Sequence, residues 1–275
     1  MRRDRPSAAA RIVAIYVAVS VAWILLSDEF AARLVTDPEA QTVVQNYKGI
    51  AFVLLSGALI YSLVRAHSAR VDAAAQRQQE AYDQTLLGWA AALDLRDHST
   101  AEHTLRVTSW TVALARSLGI DGDDLVAVRR GALLHDIGKM GVPDAVLSKP
   151  GPLTDDEWAL MRRHPQLAVE FLGGIDYLRD SLDIPAHHHE RWDGTGYPAG
   201  LRGEEIPRAA RLFAVVDVYD AVTSQRPYRE PLSTPDAVAL LEAGSGSHFD
   251  PEVLRAFVDL LERTGGRLPA EEALP

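Results

Sequence analysis

Leu125-Val126-Ala127-Val128-Arg129-Arg130-Gly131-Ala132-Leu133-Leu134-His135-Asp136-Ile137-Gly138-Lys139 is the stretch whose reading decides the fold. Behind the acidic cluster Asp121 to Asp124, the residues Leu125, Val128 and Ala132 recur at helical spacing, and His135 continues that face. Asp136 follows at once, and Ile137-Gly138-Lys139 closes the element. An imidazole and a carboxylate that continue an apolar stripe are costly to bury without partners, so they ask for something to bind.

The flanking segments repeat the pattern. Ser99-Thr100-Ala101-Glu102 has the spacing of a capping box and opens a helix whose inward stripe reads Val107, Trp110, Thr111, Leu114 and Leu118, with Gly119 as the stop. His103 lies one turn before Val107 on that stripe. A second capping box, Thr154 to Glu157, opens a helix that runs to His164, where Pro165 starts the next. His187-His188-His189-Glu190 leads into the turn-rich Asp193-Gly194-Thr195-Gly196-Tyr197-Pro198. Neighbours on a helix diverge by about 100°, so an adjacent His pair suits two metal ions better than one. After Pro207 comes an apolar helix with Leu212, Val215, Val216, Tyr219 and Val222 on one face and Asp217 embedded among them. The fold class predicted from these periods is all-α.

Each of these side chains has an ordinary reading when taken alone: a hydrogen-bonded core histidine, a helix C-terminal histidine, a carboxylate paired with an arginine. Five histidines and two aspartates on inward faces of successive helices need a common cause, and a metal centre supplies one. The chain has no cysteine, which excludes disulfides, thiolate metal sites and thiol nucleophiles. With carboxylates among the donors, a hydrolytic site with two adjacent ions fits better than a structural zinc. His187 and His248 keep the ordinary reading.

The net charge of −10 averages two unlike parts. Residues 1 to 70 carry 8 basic and 5 acidic side chains, and residues 71 to 275 carry 20 and 33. The acidic second part argues against a nucleic-acid polymer as partner, because phosphate tracking needs a dense basic footprint. In the first part, two uncharged stretches, residues 12–27 and 49–64, each span about 24 Å as helices, and Arg11, Lys48 and Arg65 can snorkel to make up the bilayer thickness. No small-x-small cleavage site follows the first stretch, which argues against a cleaved signal peptide. Arginines at 2, 3, 5, 11, 65 and 70 flank an acidic loop with Asp28, Glu29, Asp37 and Glu39, so a two-helix membrane hairpin is expected, with both termini cytoplasmic. Residues 1–66 form that hairpin, 67–86 a helical stalk without Pro or Gly, and 87–275 the catalytic part. The heptad positions Val64, Val71, Gln78 and Thr85 leave open both a dimer through the stalk and a single spacer helix.

The ordered set His103, His135-Asp136 with Gly138-Lys139, His164, His188-His189-Glu190, Asp193 to Pro198 and Asp217 resembles the HD-GYP subgroup of the HD phosphohydrolase superfamily. The resemblance runs from about residue 84 to about 263 and includes Arg226-Pro227-Tyr228-Arg229 and Gly246 to Pro251. It implies an all-helical, metal-dependent phosphodiesterase that hydrolyses cyclic di-GMP to pGpG and often on to GMP. By that likeness His103, His135, Asp136, His164, His188, His189 and Asp217 match metal ligands, with Asp136 bridging two Fe or Mn ions. Lys139 matches a lysine near the scissile phosphate, and Arg226 and Arg229 match residues that hold ligand phosphates. Gly196-Tyr197-Pro198 resembles the loop that sets substrate fit and, in some relatives, contacts diguanylate cyclase domains.

One position departs from the pattern. Some members carry a Glu four residues before the first His as a ligand for a third ion, and here that position is Ser99, read as a helix cap. Two ions are therefore expected, with Glu102 or Asp94 as the substitutes to weigh for a third. The rival readings are a non-catalytic module that binds the dinucleotide or a cyclase, and a phosphohydrolase of another nucleotide.

Overall fold

The computed structural model describes residues 7–35, 37–97, 101–225 and 230–268. Ser99 and its capping box, and the Arg226 to Arg229 segment, lie outside the described residues. The chain divides into two compact units, Met1–Ala81 and Tyr82–Pro275.

Among the described residues there is no β-strand, as an all-α chain requires. The first unit holds α1 (Ala8–Leu34) and most of α2 (Pro38–Asp97). Both helices are long and apolar enough to cross a membrane, and none of their apolar windows is buried within the protein. That exposure is the opposite of what a soluble core helix shows. Trp23 meets Phe52 with ring centroids 6.3 Å apart, and Lys48 pairs with Asp28.

The second unit contains the last turns of α2, then α3 (Ala101–Ser117), α4 (Gly122–Leu133), α5 (Asp144–Leu147), α6 (Asp155–Met161), α7 (His164–Leu172), α8 (Asp183–His187), α9 (Arg208–Thr223), α10 (Thr234–Ala243) and α11 (Pro251–Thr264). Local chemistry sets their ends. Thr154 and Glu157 close the expected capping box on α6. Asp250 accepts the amides of Glu252 and Val253 to start α11, and Gly265 ends it in the left-handed region at φ 62°.

Two apolar clusters support this unit. The larger gathers Val107, Leu114, Phe213, Val216, Tyr219 and Phe257 from α3, α9 and α11. The smaller joins Leu86 and Ala90 of α2 to Leu133, Leu134, Ile137 and Ala168. Asp83 of α2 pairs with Arg129 and, at 3.0 Å, with Arg130, which ties α2 to α4.

The decisive stretch departs from its expected course in one respect. The α4 helix stops at Leu133, so His135 and Asp136 stand in a turn ahead of a 3₁₀ segment, Ile137–Gly141, instead of continuing a helical face. Gly138 explains how this turn packs: a Cβ there would lie 1.8 Å from the carbonyl oxygen of His164 and 2.7 Å from the amide nitrogen of Ala168. The 3₁₀ segment and α7 therefore meet backbone to backbone. Gly138→Ala is expected to cost about 1–3 kcal/mol or more as an overpacking change. A thermal melt of the metal-free protein checks this, with a midpoint lower by about 4–10 °C.

Candidate metal centre

His103 stands on the first turn of α3, His135 and Asp136 in the turn after α4, His164 at the start of α7, His188 and His189 just past α8, and Asp217 in the middle of α9. All seven expected ligand residues converge. Their donor atoms fall into two groups, His103 with His135 and Asp217, and His164 with His188 and His189, each with its atoms within 4.8 Å of one another. Asp136 reaches both: one oxygen is 3.1 Å from His135 Nε2, the other 3.6 Å from His164 Nε2 and 3.9 Å from His188 Nε2. His188 and His189 were expected to serve different ions, yet they share a group. The reason is that α8 ends at His187, so the pair does not follow helical spacing.

The donor set suits divalent cations because the inner nitrogens are prepared to donate lone pairs. His135 Nδ1 donates to the Ala132 carbonyl at 2.9 Å, His164 Nδ1 to Met161 at 2.8 Å and His188 Nδ1 to Ile184 at 3.0 Å. Each bond places the proton on Nδ1 and leaves Nε2 to face the centre. His103 Nδ1 instead donates at 2.7 Å to Asp220, a buried carboxylate that also receives Arg106 Nε at 2.7 Å. Burial opposes charge on Asp220, but the hydrogen bonds from His103 and Arg106 hold its carboxyl below the usual range.

Electrostatics point the same way. Burial pushes His188 far below the ordinary imidazole range and His189 down to about 3, and it lowers His164. Neutral imidazoles are what a cation needs. Burial opposes charge on Asp136, yet Lys139 and His135 hold it well below the carboxylate range. Burial also opposes charge on Lys139, and Asp136 and Asp97, each 2.8 Å from its ammonium, more than offset it and raise it.

The Gly196-Tyr197-Pro198 loop packs against the donor cluster. Tyr197 stacks on His189 with centroids 4.6 Å apart, and the Arg162 guanidinium lies 5.5 Å from the Tyr197 ring centre. Gly196 is required because a Cβ would lie 2.4 Å from the Arg191 amide. The Tyr197-Pro198 peptide is cis. Glu190, buried, accepts the amides of Ala199, Gly200 and Leu201 at 2.7, 3.2 and 3.1 Å.

Asp220, Arg106, Asp97, Arg162 and the loop-pinning role of Glu190 were not identified from the sequence. For Asp220 a signal existed, a second aspartate three residues after Asp217 on the same apolar helix. Neither substitute third-ion ligand joins a group: Glu102 is 84% exposed and 3.5 Å from Arg106, and Asp94 is buried against the Thr104 hydroxyl at 3.2 Å.

Two outcomes follow from this geometry. Asp220→Asn removes the carboxylate that orients His103, and Mn²⁺ affinity in a direct titration is expected to fall about 10–100-fold. The second concerns pH. An unfolded imidazole binds its proton near 6.5, while folded His189 does so only near 3, so between these values the unfolded chain holds the extra proton and stability falls as pH drops. His164 and His188 act in the same direction, and His135, which is raised despite burial, acts oppositely, giving stability that is present at low pH and lost as pH rises. Each group shifted across the interval contributes about 1.4 kcal/mol per pH unit. The urea midpoint of metal-free protein is therefore expected to be lower at pH 5 than at pH 7, and a higher midpoint at pH 5 would contradict the buried neutral imidazoles.

Comparison with known proteins gives the same frame. Residues 89–253 match the HD domain family. A cyclic di-GMP phosphodiesterase of Pseudomonas aeruginosa is 47% identical over 169 residues, 60% of this chain and 40% of that protein. Another cyclic di-GMP phosphodiesterase, from Vibrio cholerae, is 40% identical over 196 residues, 66% of this chain and 40% of its own length. The chain thus spans 40% of the length of each of these two relatives. Among solved structures, a cyclic GMP-AMP specific phosphodiesterase of V. cholerae superposes with a TM-score of 0.52 at 18% identity, covering 70% of this chain and 55% of that one, which shows a shared fold. With the family match covering most of the second unit, and with His135-Asp136 in place at its centre, this chain belongs to the HD domain family.

Proposed function

We propose that the chain is a membrane-anchored, metal-dependent phosphodiesterase that hydrolyses cyclic di-GMP to pGpG, and further to GMP if a third ion is held. The observation that carries this reading is the placement of Asp136, with one carboxylate oxygen towards each of two three-donor groups. In this reading His103, His135 and Asp217 hold one Fe or Mn ion, His164, His188 and His189 hold the other, and Asp136 is shared. Such a pair of ions, when bound, activates water and neutralises charge developing on a phosphodiester.

The chain's own residues supply the remainder. Lys139, charged and adjacent to Asp136, faces the phosphate as a point charge. Tyr197, whose hydroxyl is pushed up to about 12 by burial and then by Asp136, stays protonated and offers a stacking face with Gly196 and Pro198 beside it. Arg226 and Arg229 would hold the second phosphate, on the strength of the family likeness. The names of the curated relatives favour cyclic di-GMP as substrate. The shared fold with a cyclic GMP-AMP specific enzyme makes that mixed dinucleotide the second reading.

The two long apolar helices support an inner-membrane anchor with a cytoplasmic catalytic unit. A partner diguanylate cyclase domain at the Gly196 to Pro198 loop, and pairing of two copies through the stalk, complete the proposal.

The test uses the full chain in detergent, purified without air and loaded with Mn²⁺ or Fe²⁺. Chromatography of the products is expected to show cyclic di-GMP converted faster than cyclic GMP-AMP, with two ions per chain. Asp136→Asn, which keeps the shape, should lower turnover by at least about 100-fold, since even outer-sphere changes cost 10–100-fold. Loaded protein that binds cyclic di-GMP and leaves it intact would sink the enzyme reading and favour the binding module.

A further inference from the structure

Consecutive residues at the end of α2 hold the segment that carries Lys139. The Arg96 guanidinium donates through Nη1 to the carbonyls of Lys139 at 3.1 Å and Met140 at 2.8 Å, and through Nη2 to Val142 at 2.7 Å and the Asp144 carboxylate at 2.6 Å. Asp97 takes the side chain: its carboxylate lies 2.8 Å from Lys139 Nζ, the same distance as Asp136 on the other side. Asp97 and Lys139 are largely buried, with side chains 14% and 20% exposed. Backbone and ammonium of one lysine are thus fixed from one helix turn, and neither Arg96 nor Asp97 belongs to the metal-donor groups.

From this placement we infer that Asp97 is a positioning residue, which holds the Lys139 ammonium beside the metal centre for the phosphodiester reaction proposed above. Two physical arguments support it. A lysine has a flexible four-carbon stem with many rotamers, so an unrestrained Lys139 would not stay at one point. In addition, an ammonium a few ångströms from cations is repelled. A carboxylate that ligates metal has less charge to offer that ammonium, which makes Asp97 the counter-ion whose strength does not change when the centre loads. Arg96, by holding the carbonyls on either side of the turn, keeps Asp97 and Lys139 in register. The inference rests on the phosphodiesterase reading for its catalytic part, and on geometry alone for the holding of Lys139.

The test pairs two readouts on the full chain. The protein has only three lysines, Lys48, Lys139 and Lys149, so acylation by an amine-reactive ester, quantified by mass spectrometry, reports Lys139 against Lys149 as internal reference. In Asp97→Asn, Lys139 of the metal-free protein should label several-fold faster relative to Lys149. Metal content of the loaded enzyme should be unchanged, and kcat for cyclic di-GMP should fall about 10–100-fold, the scale of a small misplacement of a reacting group. Asp97→Glu, which retains the charge, should recover part of both effects. Unchanged labelling at Lys139, or loss of metal in parallel with activity, would overturn the inference, the latter by making Asp97 a support of the centre itself. Wild-type protein that cleaves no cyclic dinucleotide would refute the phosphodiesterase reading and with it the catalytic half. The labelling would still decide whether Asp97 holds Lys139.

Discussion

The constraint on which this unit depends is a carboxylate held in low-dielectric surroundings. Asp136 lies among the buried imidazoles of His135, His164 and His188, with one fixed ammonium for compensation. Such a charge is costly unless it is matched by cations and hydrogen bonds, and Lys139 alone meets only one of its two oxygens. The other oxygen faces the imidazoles of His164 and His188, whose protonation burial opposes. A site so arranged is incomplete without further positive charge, and the family's metal dependence supplies the chemistry to complete it.

The route by which the fold reaches this arrangement is local and repeated. Three of the histidines stand just beyond a helix C-terminus, His135 after α4, His164 after α6 and His188 after α8. Each turns its Nδ1 back to a carbonyl of the preceding helix. Carbonyls in the last turn of a helix have lone pairs to spare, so they accept a ring N–H; the Ile184 carbonyl takes both the His188 amide at 2.9 Å and its ring at 3.0 Å. One rule therefore ends the helix, fixes the tautomer and aims Nε2 inward. His103 sits on the first turn of α3, and its Nδ1 donates instead to a carboxylate from elsewhere, Asp220 of α9.

This difference also explains what the sequence made legible. Helical period exposed the inward faces of α3, α4 and α9 and with them His103, His135 and Asp217, because period-3.6 spacing is a property of neighbours. The ends of helices were less legible. Just past the stop of α4 at Leu133, Gly138 approaches the His164 backbone, a contact between segments that spacing does not contain. The same is true of His188 and His189, whose common group reflects the early end of α8. Asp97 and Asp220 escaped notice because their partners lie 42 and 117 residues away, and an acidic residue near a helix end reads as an ordinary solvated charge. The paired aspartates of α9, three residues apart in an apolar run, were the one available hint.

The loop that carries Tyr197 and the segment that carries His188 and His189 are tied through Glu190. Its buried carboxylate gathers three consecutive amides of the loop after Pro198, and Gly196 packs against the backbone of Glu190 and Arg191 with no room for a side chain. The loop that presents Tyr197 is therefore anchored to the segment that presents His188 and His189, and Tyr197 lies directly on the His189 ring. A rigid support of this kind resists independent movement of loop and centre, because displacing the loop would leave a buried carboxylate without its donors. Changes in the shape of the loop must then be transmitted to His189. Under the proposed phosphodiesterase reading, a ligand that displaces the Tyr197 ring also disturbs His189, so a misfit would appear in the rate of cleavage as well as in affinity.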